Sequence, residues 1–247
     1  MHNKKEMFSH IIKRIGILFF LFIFVLSISR YSAIIGLFND IDIQIKGNNY
    51  VDATQIERLI YPHLNSSLLS VALKDIQEEI IALDYIETVQ ISRVLPHTLL
   101  IHVVERVPAV LINWDDKQIF MDRKGILMPA DNKAIATFPV PVLTIIEEDE
   151  FMDISIRKIA QFFKYLLTEY PFFYNNLSEV IINTRVWIFY SDNNTRIYAL
   201  NSDLFNQFKV LQNFENTVYP KRQIQDYSYI DLRIKNQVIV KEKHRQG

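Results

Sequence analysis

The chain has 247 residues, a hydrophobic fraction of 49% and a formal net charge of −1. This composition is typical of a globular chain with a sizeable core, and the length suggests one or two domains. The near-zero charge argues against a nucleic-acid-binding protein, since phosphate contacts need a basic face. The absence of cysteine excludes disulfide scaffolds and thiol nucleophiles. The chain has only 5 glycines, and the phosphate-binding motifs GxGxxG and GxxxxGK(S/T) do not occur.

The N-terminal segment is basic and then strongly apolar. Four basic residues come first: Lys4, Lys5, Lys13 and Arg14. The following run from Ile15 to Ile28 carries no charge. As a helix it covers about 21 Å of a ~30 Å hydrocarbon core, so flanking residues must lengthen it if it is to cross the membrane. We expect a cytoplasmic tail over 1–14, a membrane anchor over 15–38 and export of the rest, because the positive charges precede the run. A cleaved signal peptide and a buried core helix are the alternatives.

Residues 40–107 predict a small α+β unit. Asp40 to Lys46 alternates between isoleucine and polar residues, which indicates a half-buried strand. The predicted elements are, in order, a strand over 40–46, helices opened by Asp52 or Thr54 and by Ser70, and strands over 85–95 and 98–106. The order strand, helix, helix, strand, strand fits two helices that pack on one face of a short sheet.

Val107-Pro108 ends this unit, because proline cannot continue a central strand. We expect a mixed β-domain with two helices over 108–241 and a tail over 242–247. Its predicted elements are strands over 110–114, 118–122 and 126–128, an extended segment over 137–145, a helix over 154–169, strands over 177–183, 186–190 and 195–199, a helix over 204–214, and strands over 227–234 and 238–240. Pro171 is expected to end the first of these helices.

Aromatic residues concentrate around the end of that helix, and we expect them in the core. They are Phe162, Phe163, Phe172, Phe173 and Tyr174. Large aromatic side chains bury the most apolar area of any residue type, so a cluster of them favours a packed interior over a ligand platform. The segment therefore predicts a core, not a binding site.

No spacing of polar residues indicates catalysis or metal binding. His97 and His102 are the closest histidine pair in the folded region, but an odd separation on a strand places them on opposite faces. Asp115, Asp116 and Asp122 lie in or beside turns, where aspartate bonds to the nearby backbone. We expect no enzymatic activity, no metal, no cofactor and no small-molecule substrate.

Four segments follow one another in an order that is typical of one family. They are "IKGNNYVDATQIERLI" (Ile45 to Ile60), the pattern of Val104, Glu105, Pro108, Ala109, Val110 and Trp114, "FMDRKGILM" with Asp122 and Gly125, and "YIDLR" (Tyr229 to Arg233). The first resembles the start of a POTRA (polypeptide-transport-associated) module. Together they resemble the FtsQ/DivIB family of bacterial cell-division proteins, with a departure at Ile234, where relatives carry an aromatic residue.

The resemblance implies a non-enzymatic scaffold of the divisome. Such a protein crosses the inner membrane once at the division septum, binds FtsB and FtsL in the periplasm, and helps control septal peptidoglycan synthesis. FtsK, FtsW, FtsI and FtsA are further candidate partners. The alternatives are a POTRA-bearing export or outer-membrane assembly component, and a periplasmic sensor or enzyme.

The resemblance also implies where a partner binds. The expected contact residues are Tyr229, Ile230, Asp231, Leu232, Arg233, Ile234, Lys235 and Asn236. Along this strand Ile230, Leu232 and Ile234 share an apolar face that should pack on the domain. The residues that follow are polar, so we expect the strand at or near a sheet edge, where unpaired backbone groups invite strand addition by a partner.

Overall fold

The computed structural model describes residues 2–34, 40–64, 67–114, 117–146, 156–183 and 185–243. The chain divides into two compact units, Met1–Glu105 and Arg106–Gly247. Both units combine helices with a sheet, which confirms the predicted α+β class.

Helix α1 runs from His2 to Ile34. From Ile15 to Ile28 each large apolar side chain is at least 46% exposed. Among residues whose side chains are described, no helix stays apolar over a length that could cross a membrane. Residues 35–38 of the expected anchor lie outside the described part of the chain.

The first unit has the predicted order of elements. They are β1 (Asp42–Lys46), α2 (Ala53–Ile60), α3 (Leu73–Ile81), β2 (Ile86–Val94) and β3 (Thr98–Glu105). Strand β3 lies in the middle of the sheet, parallel to β1 and antiparallel to β2. Helix α3 begins at Leu73, because Ser70 belongs to a separate 3-10 turn, Leu68–Ser70.

The core of the first unit is aliphatic. Its helices contribute four fully buried side chains, Ile56, Ile60, Ile76 and Ile80, and β3 contributes Leu99 and Ile101. Full burial of such a side chain contributes roughly 1.5–3 kcal/mol each. In β1 Ile43 and Ile45 are half-buried while Asp42, Gln44 and Lys46 are exposed, which confirms the predicted register.

The Glu105 carboxylate closes the turn after β1. Its Oε1 accepts hydrogen bonds from the N–H groups of Asn49 (2.9 Å), Tyr50 (3.0 Å) and Val51 (2.8 Å). The turn also needs Gly47, which has φ +86° and whose Cβ, if present, would lie 2.1 Å from a carbonyl oxygen of β3. One carboxylate and one glycine therefore join the start of the unit to its last strand.

The second unit is built on a nine-stranded mixed sheet. Its elements are β4 (Pro108–Trp114), β5 (Lys117–Asp122), β6 (Leu127–Pro129), α4 (Asn132–Thr137), β7 (Val142–Ile145), α5 (Ile156–Glu169), α6 (Pro171–Asn175), β8 (Leu177–Ile182), β9 (Val186–Ser191), β10 (Arg196–Leu200), α7 (Leu204–Val218), β11 (Tyr227–Asp231) and β12 (Ile239–Glu242). The strand order is β12-β11-β10-β9-β8-β7-β4-β5-β6, and the pairs β4–β7, β7–β8 and β10–β11 are parallel.

The prediction of only two helices in this unit is wrong, because α4 and α6 were missed. The Asp131 side chain caps α4 by accepting a hydrogen bond from the Ala134 N–H at 2.7 Å. Pro171 ends α5 as predicted and at the same time begins α6, since the first turn of a helix needs no N–H from its residues. Strand β12 runs to Glu242, one residue past the expected end of this domain at 241.

The core of the second unit is aromatic. Phe162 of α5 contacts the rings of Trp187, Phe189 and Phe208, with centroid distances of 5.5, 5.6 and 4.9 Å. Phe163 and Phe173 are buried as predicted, and Tyr174 is half-buried. Phe172 was expected in this core, but it is 58% exposed, because the single-turn helix α6 turns Phe173 inward and its neighbour outward.

Candidate partner-binding edge of the second sheet

Strand β11, which contains three of the eight predicted contact residues, lies one strand inside the sheet edge. It pairs with β10 on one side and with β12 on the other. Its backbone groups are therefore engaged on both sides, and the groups that a partner strand could use belong to β12. We define the edge surface as β12, the outer face of β11 and the turn 234–237 that joins them.

The hydrogen bonds that flank β12 show which of its backbone groups face outward. The Lys243 N–H donates to the Asp226 carbonyl at 2.9 Å, and the Lys241 carbonyl accepts from the Ser228 hydroxyl at 3.0 Å. Lys241 and Lys243 therefore face β11. Because successive residues of a strand direct their backbone groups to opposite sides, the N–H and C=O of Val240 and Glu242 face the open edge.

Two of the three residues on the predicted apolar face are buried. Ile230 and Leu232 lie in the core at 0% and 1% exposure, as predicted. The prediction for Ile234 is wrong, since its side chain is 47% exposed. The strand ends at Asp231, and the chain then turns, with the Gln237 N–H donating to the Ile234 carbonyl at 3.1 Å, so the alternation of the strand no longer applies.

Lys235 and Asn236 lie in this turn and are exposed. Asn236 has a φ of +57°, in the left-handed region that asparagine tolerates better than most residues. Neither residue contributes an N–H to the strand edge. A proline here would disturb the turn and would leave the donors of β12 intact.

The outer face of β11 carries a hydrogen-bonded charge pair. The Arg233 guanidinium donates to Asp231 through Nε at 2.9 Å and through Nη2 at 2.6 Å, and it lies 5.2 Å from the centre of the Tyr198 ring. These hydrogen bonds lower the pKa of the Asp231 carboxyl. The half-buried Tyr229 occupies the same face, opposite Lys241 of β12. The face therefore offers an aromatic surface with a fixed pattern of charge.

Sequence reasoning missed the contribution of β12. It predicted a strand over 238–240 but gave it no role, although Ile239 and Lys241 lie beside the predicted contact residues, opposite Asp231 and Tyr229. The signal was the run of three β-branched residues, Val238, Ile239 and Val240, directly after a turn, which is typical of a hairpin strand. Sequence alone does not show on which side of β11 that hairpin pairs.

One of the three aspartates expected at turns, Asp122, has several structural partners. Asp122 is buried, accepts the N–H groups of Lys124 (2.8 Å) and Ile126 (2.9 Å), and pairs with Arg106 at 3.2 Å. Its predicted turn-stabilising role is confirmed. Asp115 and Asp116 lie outside the described residues. In the described part of the chain no three His, Asp or Glu side chains are grouped to hold a metal ion.

Two family models match the chain in succession. The POTRA domain, FtsQ-type, matches residues 38–106, and the FtsQ/DivIB, C-terminal related, region matches residues 107–241, which is more than half of the chain. This chain belongs to the FtsQ/DivIB family. The edge surface, except for Glu242, lies in the part that the C-terminal family region covers.

Individual relatives of this FtsQ/DivIB chain are distant. The cell division protein FtsQ of Koribacter versatilis is 22% identical over 108 residues, 44% of this chain and 31% of the relative. The cell division protein FtsQ of Novosphingobium aromaticivorans is 26% identical over 84 residues, 34% of this chain and 26% of the relative. The chain matches about a third or less of the length of these relatives.

Proposed function

We propose that this protein is a non-enzymatic scaffold of the divisome that binds a periplasmic partner through the open edge of β12. The observation that carries the proposal is this edge, with the outward backbone groups of Val240 and Glu242, in a member of the FtsQ/DivIB family. Through such contacts the protein links early and late division proteins and helps control septal peptidoglycan synthesis.

FtsB is the proposed occupant of the edge, with FtsL bound in the same assembly. A strand of FtsB added to β12 forms main-chain hydrogen bonds with Val240 and Glu242, which supply affinity without sequence preference. Selectivity comes from neighbouring side chains, above all the exposed Ile239, which is 39% accessible, and the Tyr229 ring. FtsK, FtsW, FtsI and FtsA remain further proposed partners at surfaces other than this one.

Substitutions at Val240 test the edge directly. Val240→Pro removes one outward donor, and edge strands tolerate proline where the N–H faces solvent. Val240→Ala removes a similar amount of packing but keeps the donor, so it is the matched control. In a pull-down of FtsB by the full chain we expect the proline variant to lose at least tenfold more binding than the alanine variant. Equal loss in the two variants, with circular dichroism unchanged, would place the partner elsewhere.

We further propose that α1 anchors the protein in the inner membrane and that the two units lie in the periplasm. Support comes from the uncharged run Ile15–Ile28, its exposed apolar side chains, and the basic residues that precede it. A periplasm-specific reporter fused after Gly247 should be active, and the membrane-bound protein should retain Met1. Recovery of a soluble periplasmic form that begins near Arg30 would support cleavage instead.

A further inference from the structure

The Arg106–Gly247 unit also contains a concave site that has no role in the proposal above. It is a groove of about 520 Å³ formed by the end of α5, the start of α6, the outer face of α7 and the loop that follows α7. This volume falls in the range of roughly 300–1,000 Å³ that is typical of ligand pockets. The residues on which its chemistry depends are Glu169, Phe172, Gln212, Glu215, Tyr219 and Gln223.

Two aromatic side chains stand at the rim of this groove without being buried. Phe172 is 58% exposed and Tyr219 is 65% exposed. Phe172 is held in this position because the buried Phe173 anchors α6 in the core and the Asn176 side-chain amide donates to the Phe172 carbonyl at 2.7 Å. Exposed aromatic faces that border a cavity are typical of recognition sites for cations and planar groups.

The charged groups of the groove are the carboxylates of Glu169 and Glu215. The Tyr170 hydroxyl donates to Oε2 of Glu215, which orients that carboxylate, while the amide nitrogen of Gln212 donates to the Glu169 carbonyl at 3.0 Å. In the described part of the chain neither Glu169 nor Glu215 forms an ion pair, and none of the described lining residues is lysine or arginine. The groove thus offers carboxylates and aromatic faces with no internal cation.

A guanidinium group matches this arrangement. Arginine forms planar, bidentate hydrogen bonds with carboxylates and stacks its guanidinium plane on aromatic rings, whereas a lysine ammonium is a compact point charge without this planar geometry. Phosphate or carboxylate ligands would meet repulsion from Glu169 and Glu215. The charge and the exposed rings together therefore favour an arginine-bearing ligand.

The groove continues from the end of β12. Gln223 lines the groove, and the adjacent Arg222 pairs with Glu242 of β12 through Nε at 3.1 Å. The Glu242 carboxylate thereby neutralises the charge of Arg222 beside the groove. In addition, the Lys243 N–H bonds to the Asp226 carbonyl of the same loop at 2.9 Å. The loop 222–226 therefore contacts both the groove and the end of β12, which places the groove close to the end of the edge at which a peptide strand would add.

We infer that this groove binds an arginine side chain of the peptide segment that adds to β12. This inference rests on the proposed strand addition for the source of the peptide. The chemistry of the groove itself does not depend on β12, so short arginine peptides test it separately.

The experiment measures fluorescence anisotropy of labelled Gly-Arg-Gly-Arg-Gly and Gly-Gln-Gly-Gln-Gly peptides with the full chain in detergent micelles. We expect the arginine peptide to bind at least tenfold more tightly than the glutamine peptide. The double variant Glu169→Gln, Glu215→Gln should remove this preference, and Phe172→Ala with Tyr219→Ala should weaken binding several-fold. The charge-matched control, Glu78→Gln with Asp84→Asn at exposed positions of the other unit, should change nothing.

The outcomes separate this inference from the proposed function. Val240→Pro should weaken FtsB binding at least tenfold more than Val240→Ala does and leave arginine-peptide binding unchanged. If the arginine peptide binds but FtsB does not, the proposed function is wrong, while the inference that the groove binds arginine is supported. Equal binding of the two peptides, or equal losses in the groove and control variants with unchanged circular dichroism, would overturn the inference.

Discussion

The two units of this chain differ in the residues that form their cores. The Met1–Glu105 unit packs two short helices on three strands with isoleucine, leucine and valine, and its order depends on the Glu105 carboxylate. The Arg106–Gly247 unit packs long helices on nine strands around a cluster of aromatic rings. A small core buries a smaller share of its surface, so polar cross-links carry more of its stability.

The edge strands of the two sheets differ in the polarity of their exposed side chains. In the first unit β1 is an edge strand whose outward side chains are Asp42, Gln44 and Lys46, and charges on an edge oppose strand addition. At the edge of the second sheet the exposed Ile239 follows the exposed Ile234 of the preceding turn. The β12 edge also carries the exposed Lys241 and Glu242, but it is less uniformly polar than β1, which is consistent with the strand addition proposed there.

The largest effect is expected in the aromatic core. Phe162→Ala removes a ring that contacts Trp187, Phe189 and Phe208 and leaves a cavity, which should cost about 3–5 kcal/mol of unfolding free energy. Urea unfolding followed by the fluorescence of Trp187 measures this loss. Ile76→Val in the other unit deletes one methylene and should cost only about 0.5–1.5 kcal/mol. Similar losses of unfolding free energy in the two variants would show that the aromatic cluster does not contribute more to stability than the aliphatic core.

The second prediction concerns the carboxylate of the first unit. Glu105→Ala leaves the N–H groups of Asn49, Tyr50 and Val51 without their acceptor and should destabilise the unit by about 2–3 kcal/mol. Glu105→Gln keeps an acceptor oxygen and should lose less. Amide hydrogen exchange at these three residues reports the change locally. Unchanged protection in the alanine variant would mean that the turn holds without the carboxylate.

The third prediction tests the register of β1. Ile43→Asp places a charge on the half-buried face, where it reaches solvent only at the strand edge, and should cost about 1–2 kcal/mol. Asp42→Asn changes an exposed position and should stay within about 0.5 kcal/mol of the native protein. Thermal unfolding compares the two variants. If they melt alike, β1 does not use the face assigned to it.

Much of the fold could be predicted because its strands alternate clearly. The isoleucine face of β1 and the strands on either side of Ser191 and of His97 were predicted from local pattern alone. Helix α6 was missed because Pro171 signals both an end and a beginning, and local sequence does not show which applies.

The candidate site was only partly predictable. The buried residues of β11 follow from alternation, but the identity of the edge strand depends on which strands pair, and that is fixed by contacts distant in sequence. Ile234 illustrates the limit. Its alternation with Ile230 and Leu232 continues in the sequence after the strand has ended in the structure, so the pattern predicts burial that the turn prevents.

The smallest effect is expected from the charge pair on the outer face of β11. Arg233→Gln removes the donors that lower the pKa of Asp231, but the arginine is largely exposed, so screening should limit the loss to below about 1 kcal/mol. Because the folded pKa of Asp231 lies below its unfolded value of about 3.9, the pair stabilises the fold above about pH 4 and loses this effect as pH falls through the folded pKa. Urea unfolding should therefore separate the variant from the native protein near pH 7 and not at strongly acidic pH. A difference that persists at acidic pH would instead assign the stabilisation to the contact between Arg233 and the Tyr198 ring.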